Sequence, residues 1–350
     1  METKKSVTIA VSGLNAIDSP GPGIPVIRGL RESEHFSCRI IGLAYENLEP
    51  GIYMDDIVDK VYTMPYPSEG TEAVFDKLSY IHERENLEVI IPNFDAEIYP
   101  YIRLTPRLSA MGISTFLPGE GQFEERQKHN LDTFGKKYGI PVPEGKAVHS
   151  LQELEKAGNQ IEYPLMIKGK FYEAYIAWDA EAAKSWFHKV SMKWGLPVIV
   201  QKYIKGEEFN VTGLGDGQGR TIAAVSMRKQ YITDKGKAWG GITVADPRLL
   251  ALTASFVEKT RWRGPFELEL MKDAQGVYHL MEINPRMPAW VYLAVGAGQN
   301  IPEAIVRLAL GETLEPMKPY EVGKMFLRYS WDMIVDVMDF QNFAMKGERG

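Results

Sequence analysis

The first third of the chain alternates short apolar, β-rich runs with amphipathic stretches. Residues 6–13 (SVTIAVSG), 38–45 (CRIIGLAY), 59–66 (DKVYTMPY), 87–94 (LEVIIPNF) and 113–119 (ISTFLPG) predict strands. Residues 71–86 and 101–112 carry helical spacing between them. Strands alternating with helices indicate an α/β domain whose parallel sheet is covered on both faces. Ligands of such sheets collect at the carboxyl ends of the strands. The loop 13–23 (GLNAIDSPGPG) follows the first strand and suits either a ligand edge or a plain turn.

The pattern changes near Gly121. Leu131, Phe134 and Tyr138 stand at helical spacing before Gly139, a stop signal. Ser150 and Glu153 are in capping-box register for the next helix. Residues 163–179 (YPLMIKGKFYEAYIAWD) read as two strands around a turn, and Asp179 caps a helix ending at Gly195. From Leu196 the chain is β-rich, with turns at GDGQG (215–219) and DAQG (273–276). Asp246-Pro247 opens a helix to about Trp262, and residues 300–310 form another, closed by Gly311. Residues 324–331 (KMFLRYSW) hold one more strand, and the tail beyond has no assignable pattern. These shifts divide the chain into an N-terminal α/β domain (1–118), two α+β parts (119–205 and 206–320) and a C-terminal strand with a tail (321–350).

Composition narrows the class. The 350 residues suit two or three domains at about 150 residues each. A net charge of −6 argues against nucleic acid as a partner. Cys38 is the sole cysteine, so no intrachain disulfide forms, which fits a reducing compartment. The apolar patch Val7–Val11 is interrupted by Thr8 and too short for a signal core. No run approaches the roughly 20 residues that cross a bilayer. A cytoplasmic protein with no membrane partner is expected.

Candidate chemistry centres on residues 279–288, HLMEINPRMP. In an extended chain Glu282, Asn284 and Arg286 share one face, with Met281 and Ile283 on the other. Upstream, Glu267, Glu269 and Met271 alternate, and the 273–276 turn folds the next strand back antiparallel, bringing Glu269 toward Glu282. Two carboxylates and an amide oxygen suit Mg²⁺, which completes its shell with waters and phosphates. A solvated face for Glu267 and Glu269 is the other reading. Lys168 ends an apolar strand and Lys128 opens a helix; each alone is an ordinary charge. In VIVQKYIKGEEFNV (198–211) an apolar strand runs into a linker whose backbone could meet a purine edge, followed by a carboxylate for ribose hydroxyls. GxxxxGK[ST], HExxH and cysteine-based metal patterns are absent, and GLGDGQG fails GxGxxG spacing.

Taken in order, a lysine before a helix, P-x-x-x-K, Q-K-Y-I-x-G-x-E and E-x-E…E-I-N-P-R after an α/β domain resemble the ATP-grasp superfamily. That superfamily includes D-alanine–D-alanine ligase, biotin carboxylase and the carbamoyl phosphate synthetase large subunit. The resemblance spans residues 5 to 315 and implies an ATP-grasp fold, two α+β subdomains holding ATP between them. It implies that Lys128 and Lys168 contact phosphates, and that Met166, Ile204 and Met271 sandwich adenine. The backbone of Gln201, Lys202 and Tyr203 would read the purine edge, and Glu208 would hold the ribose. Glu269, Glu282 and Asn284 would bind one or two Mg²⁺, with Mn²⁺ an alternative. Arg286, with Arg228 or Lys229, would face the γ-phosphate and the reacting carboxylate.

The implied activity is ATP-dependent carboxylate–amine ligation through an acyl phosphate, on small molecules or a peptide tail; homodimers are common in such enzymes. A carboxylase, a peptide- or protein-modifying ligase, and a nucleotide-binding regulatory protein without turnover stand as alternatives. One departure concerns the lid. The family's glycine-rich hairpin is replaced by GKFYEAYIAWD, with Gly169 alone and bulky Phe171, Tyr172 and Tyr175; either the lid is short and Lys170 substitutes as a phosphate ligand, or closure involves the bound substrate. Trp239 suits a substrate wall or a packed hairpin tip. Residues 286–300 would line the acceptor pocket yet hold no acid to recognise an amine.

Overall fold

The computed structural model describes residues 4–16, 20–169, 173–233, 236–330 and 332–350. The chain folds as two units. The first holds Met1–Glu120, Val211–Glu267 and Asn284–Gly350, and the second Gly121–Asn210 and Leu268–Ile283.

The alternating pattern of the first 120 residues becomes β1 (Lys5–Ser12), α1 (Gly23–Arg31), β2 (Phe36–Ala44), β3 (Lys60–Thr63), α2 (Thr71–Glu85), β4 (Val89–Ile91) and α3 (Asp95–Ala110). β1 pairs in parallel with β2 and β4, and β2 with β3, so Ser12, Ala44 and Ile91 end at one edge of the sheet. Ile9, Ile40 and Val89 are fully buried, as expected for strands covered on both faces. Three expectations need correction. Residues 113–119 form no strand: a single parallel bridge joins Ser114 to Val89, because three-residue β4 offers no longer partner. α1 escaped the pattern because glycines and Pro25 interrupt it, yet Val26, Ile27 and Leu30 bury one face. α3 starts at Asp95 rather than residue 101. The Glu97 carboxylate holds its first turn by accepting from the N–H groups of Asn93 and Phe94, and the helix runs through Pro100 and Pro106.

The next segment gives α4 (Glu120–Glu125), α5 (Leu131–Tyr138), β5 (Gly145–Val148), α6 (Leu151–Ile161), β6 (Leu165–Lys168), β7 (Ala174–Ala177), α7 (Ala180–Trp194) and β8 (Val198–Lys202). The strands form an antiparallel sheet in the order β5-β8-β6-β7. Its apolar alternation packs Leu165, Ile167, Val198 and Val200 against Leu154, Ala183 and Phe187. The sequence signals act as expected. Gly139 takes φ 62° after α5, Ser150 Oγ accepts from Glu153 N, and Asp179 Oδ1 accepts from Ala182 N. Lys170, Phe171 and Tyr172 of the expected lid lie outside the described residues, as do residues 17–19 of the first loop.

The remainder comprises β9 (Gly206–Asp216), β10 (Thr221–Ile232), β11 (Ala238–Thr243), α8 (Pro247–Thr260), β12 (Arg263–Asp273), β13 (Tyr278–Asn284), α9 (Tyr292–Gly296), α10 (Ile301–Ala309), β14 (Met325–Leu327), α11 (Val337–Lys346) and β15 (Glu348–Arg349). A six-stranded sheet has the order β13-β12-β9-β10-β11-β14. The tail that carried no pattern returns to the first sheet, where β15 pairs with β3. Along β12 the unit changes after Glu267, and along β13 after Ile283. Among the described residues, no helix is long and apolar enough to cross a membrane.

Candidate active site

In the second unit, four of the expected residues gather as a charge cluster. Lys168 ends β6 and donates from Nζ to Gln201 Oε1 at 2.7 Å. Lys128 Nζ lies 3.1 Å from Glu282 Oε2. Withdrawal from water pushes the Lys168 pKa down to about 8. The carboxylates of Glu282 and Glu269 act against that shift, and the charge of Lys128 adds to it. Local folding explains the convergence. The period-2 alternation of β6 buries Leu165 and Ile167, leaving Met166 and Lys168 on the other face. The antiparallel register sets Met166 opposite Gln201 and Ile176.

The linker after β8 differs from expectation in one respect. Lys202 N–H donates to Glu144 O at 2.8 Å and Tyr203 N–H to Pro164 O at 3.2 Å. Those two donors serve the fold, so a purine edge would have to meet carbonyls of this stretch or the N–H groups beyond it. A cleft of about 430 Å³ is lined by Lys202, Tyr203 and Ile204 together with Val142, Asp273 and His279. Among the described residues, Met166, Glu208 and Met271 are not in its lining; all three are half-buried on β6, β9 and β12.

The first unit holds the other expected residues. Arg286 Nε donates to Asp95 Oδ2 at 2.9 Å, and its Nη1 is 3.8 Å from Glu267 Oε2. Glu267 is buried, and it accepts from Trp290 Nε1 at 2.7 Å and from Asn284 Nδ2 at 3.2 Å. The solvated-face reading therefore fails for Glu267: the indole and amide replace the water a carboxylate would otherwise need. Arg228 and Lys229 are separated by the register. They stand opposite Ile242 and Gly241, so their side chains leave opposite faces. Lys229 shares its face with Met227, which packs with Trp290 and Phe326. Arg228 instead reaches the Gln230 amide oxygen at 3.1 and 3.3 Å, with that amide turned to accept. Trp239 is half-buried on β11 and accepts at its carbonyl from Arg328 N–H.

Two residues here carried no expectation from sequence, Asp95 and Arg328. Asp95 opens α3 just past β4, the edge where parallel sheets take ligands, so topology was the available cue. Arg328 follows β14 with its guanidinium above the Phe326 ring, 5.7 Å from the centroid. Its cue was a cation ending an apolar strand, the same cue that marked Lys168. Burial pushes its pKa down and Glu267 pushes it back, and Nη1 is buried without a hydrogen-bond partner.

Residues 196–328 match the family model described as "ATP-grasp in the biosynthetic pathway with Ter operon". Over 276 residues the chain is 22% identical to the carbamoyl phosphate synthase large chain of Agathobacter rectalis, covering 75% of this chain and 25% of that protein. The chain thus spans about a quarter of the length of the curated relatives it matches. Among solved structures, the biotin carboxylase of Campylobacter jejuni superposes with a TM-score of 0.70 at 15% identity, over 92% of this chain and 74% of that one. The L-amino acid ligase of Bacillus licheniformis gives 0.64 at 18%, over 89% and 75%. The chain has the ATP-grasp fold. The fold expectation of an α/β domain followed by ATP-grasp subdomains thus holds.

Proposed function

We propose that this ATP-grasp chain is an ATP-dependent carboxylate–amine ligase that works through an acyl phosphate and releases ADP and phosphate. The observation that carries the reading is the second unit's cluster of Lys128, Lys168, Glu269 and Glu282. Two ammonium groups beside two carboxylates match a polyphosphate accompanied by a divalent cation. A lysine whose proton is weakly held in the free chain regains its full basicity beside phosphate oxygens, which supports the same reading.

The donor set fits Mg²⁺ better than a softer metal. Among the described residues no group of three His, Cys, Asp or Glu side chains converges, as a closed protein cage would require. Two carboxylates leave the rest of the shell to phosphate oxygens and water, the habit of Mg²⁺. Glu269 and Glu282 would hold it, with Asn284 the further ligand by its two-residue spacing along β13. The ion would supply neutralisation of phosphate charge.

The chain's own residues would then bind and orient. Lys128 and Lys168 hold the phosphates, Ile204 with Met166 and Met271 contacts the base, and Glu208 accepts from ribose hydroxyls. Arg286 holds the carboxylate that attacks the γ-phosphorus; the bond from phosphorus to the ADP oxygen breaks as the acyl phosphate forms. An amine then attacks the acyl carbon and phosphate leaves. Positioning and charge carry such transfers, so no protein nucleophile is needed.

The test is ATP turnover by the purified chain with Mg²⁺ and pooled carboxylates and amines. ADP and phosphate in equal amounts, dependent on a carboxylate, support the reading. AMP and pyrophosphate would overturn the acyl phosphate.

A further inference from the structure

Within the first unit, Glu267 joins three residues that follow one another closely in the chain: Asn284, Arg286 and Trp290. Its Oε1 accepts from Trp290 Nε1 at 2.7 Å. Its Oε2 accepts from Asn284 Nδ2 at 3.2 Å and lies 3.8 Å from Arg286 Nη1. The indole is itself fixed, because Trp290 is buried in an apolar cluster with Met227 and Leu293. A carboxylate taken out of water costs more than an apolar side chain of similar size. Packing gives no reason for an acid at position 267; its hydrogen bonds do. Asn284 is 4% exposed, so its amide cannot turn to water and its partners decide which end points where. A carboxylate accepts and never donates, so Glu267 draws the amide nitrogen. The amide oxygen is left on the side away from Glu267, and oxygen is the end that a hard cation takes.

We infer that Glu267 is a positioning residue, which turns the Asn284 amide so that its oxygen serves the Mg²⁺ accompanying ATP. This rests on the ligase reading and deepens it. Trp290 completes the arrangement by engaging Oε1, which leaves Oε2 to Asn284. The donor and acceptor rules then dictate a reciprocal exchange. In Glu267→Gln the indole, a donor only, claims the oxygen of the new amide and leaves its NH₂ toward Asn284. Asn284 must turn its own oxygen to that NH₂, and its nitrogen, a poor ligand, takes the place of the oxygen. Asn284→Asp alone sets two carboxylates against each other out of water, which is equally unfavourable. Combined, the two changes agree. The glutamine NH₂ donates to one oxygen of the aspartate, and the other oxygen serves the cation.

The experiment titrates Mn²⁺, which takes the same oxygen ligands, into the full chain with a non-hydrolysable ATP analogue. Bound metal is read by electron paramagnetic resonance, metal-free binding of the analogue is measured separately, and circular dichroism checks folding. Glu267→Gln and Asn284→Ala are each expected to weaken Mn²⁺ binding about tenfold or more while metal-free nucleotide binding persists. The double variant Glu267→Gln/Asn284→Asp is expected to return Mn²⁺ affinity to within about threefold of the native chain, a coupling that a merely structural role would not produce. Native Mn²⁺ affinity in Glu267→Gln overturns the inference and leaves the ligase reading standing. So does a double variant that is unfolded, or that binds Mn²⁺ no better than the weaker single variant. Should Glu267→Gln alone fail to fold, the double variant decides by the same criterion. Native Mn²⁺ affinity in Asn284→Ala removes Asn284 from the metal and the inference with it. Absence of Mn²⁺ and nucleotide binding in the native chain overturns the ligase reading itself.

Discussion

Lys168 shows how a single residue passes from structural to chemical significance. A lysine that ends a strand is an ordinary feature, but this one is withdrawn from water beside Lys128, and its pKa falls to about 8. Two outcomes follow with definite sign. Between about pH 8 and the ordinary value of 10.5, the unfolded chain holds a proton that the folded chain has released. Stability relative to Lys168→Met therefore rises with pH across that window, which urea denaturation at pH 7.5 and 9.5 will read. In the free enzyme the cation is lost above about pH 8, so kcat/KM for ATP should fall there. Lys168→Met should lose about a hundredfold in kcat/KM and lack that limb. For the metal, Glu282→Ala should lower turnover by about a hundredfold and raise the Mg²⁺ concentration for half-maximal rate; unchanged Mg²⁺ dependence would remove Glu282 from the ligand set. Arg286→Ala should lower kcat more than it weakens ATP binding, and the opposite split in steady-state kinetics would move Arg286 to the nucleotide side.

At the scale of elements, legibility followed periodicity. β6 alternates strictly and β12 does so over Phe266–Leu270 in sequence, while β8 and β10 are apolar runs, and the bounds of all four lie close to those runs. The capping and stop residues Ser150, Asp179 and Gly139 bounded helices as their chemistry requires. α1 was hidden by its own glycines, and the start of α3 by Pro100; in both the tertiary contacts of one face outweigh local propensity. Residues 113–119 had strand composition but no strand to pair with, and composition alone does not supply a partner. Close backbone approach makes Gly206 the most constrained position in the turn from β8 to β9. A Cβ there would sit 2.0 Å from the Lys272 carbonyl oxygen, which belongs to a paired strand and cannot swing away. Gly206→Ala is expected to cost about 1–3 kcal/mol, measured from the urea midpoint. A loss below about 0.5 kcal/mol would mean the two backbones can part.

For the molecule as a whole, a nucleotide that binds the folded chain alone must raise its stability. Mg·ATP at a hundred times its dissociation constant should add about 2.7 kcal/mol, read as a higher melting temperature. The Lys128→Ala variant should retain the native melting temperature without ligand and lose most of that gain. An equal gain in the variant would separate Lys128 from the phosphates.

What the sequence determined by itself was most of the series of elements and which side chains share a strand face, because both are written locally. Two-residue spacing sets Glu282, Asn284 and Arg286 on one face, and apolar alternation delivers Lys168 to the end of its strand. It also determined the class of fold, through the order in which those pieces occur. What only the tertiary structure decided was company. Asp95 meets Arg286 across 191 residues of chain, Trp290 and Asn284 enclose Glu267, and half-buried Arg328 has its Nη1 out of water without an acceptor. The register of β10 on β11 turned Lys229 and Arg228 to opposite faces, and backbone pairing engaged the N–H groups of Lys202 and Tyr203. The physical reason is the same in each case. Spacing along a strand sets which way a side chain points, whereas burial and partnership depend on segments far away in the chain, about which local periodicity carries no information.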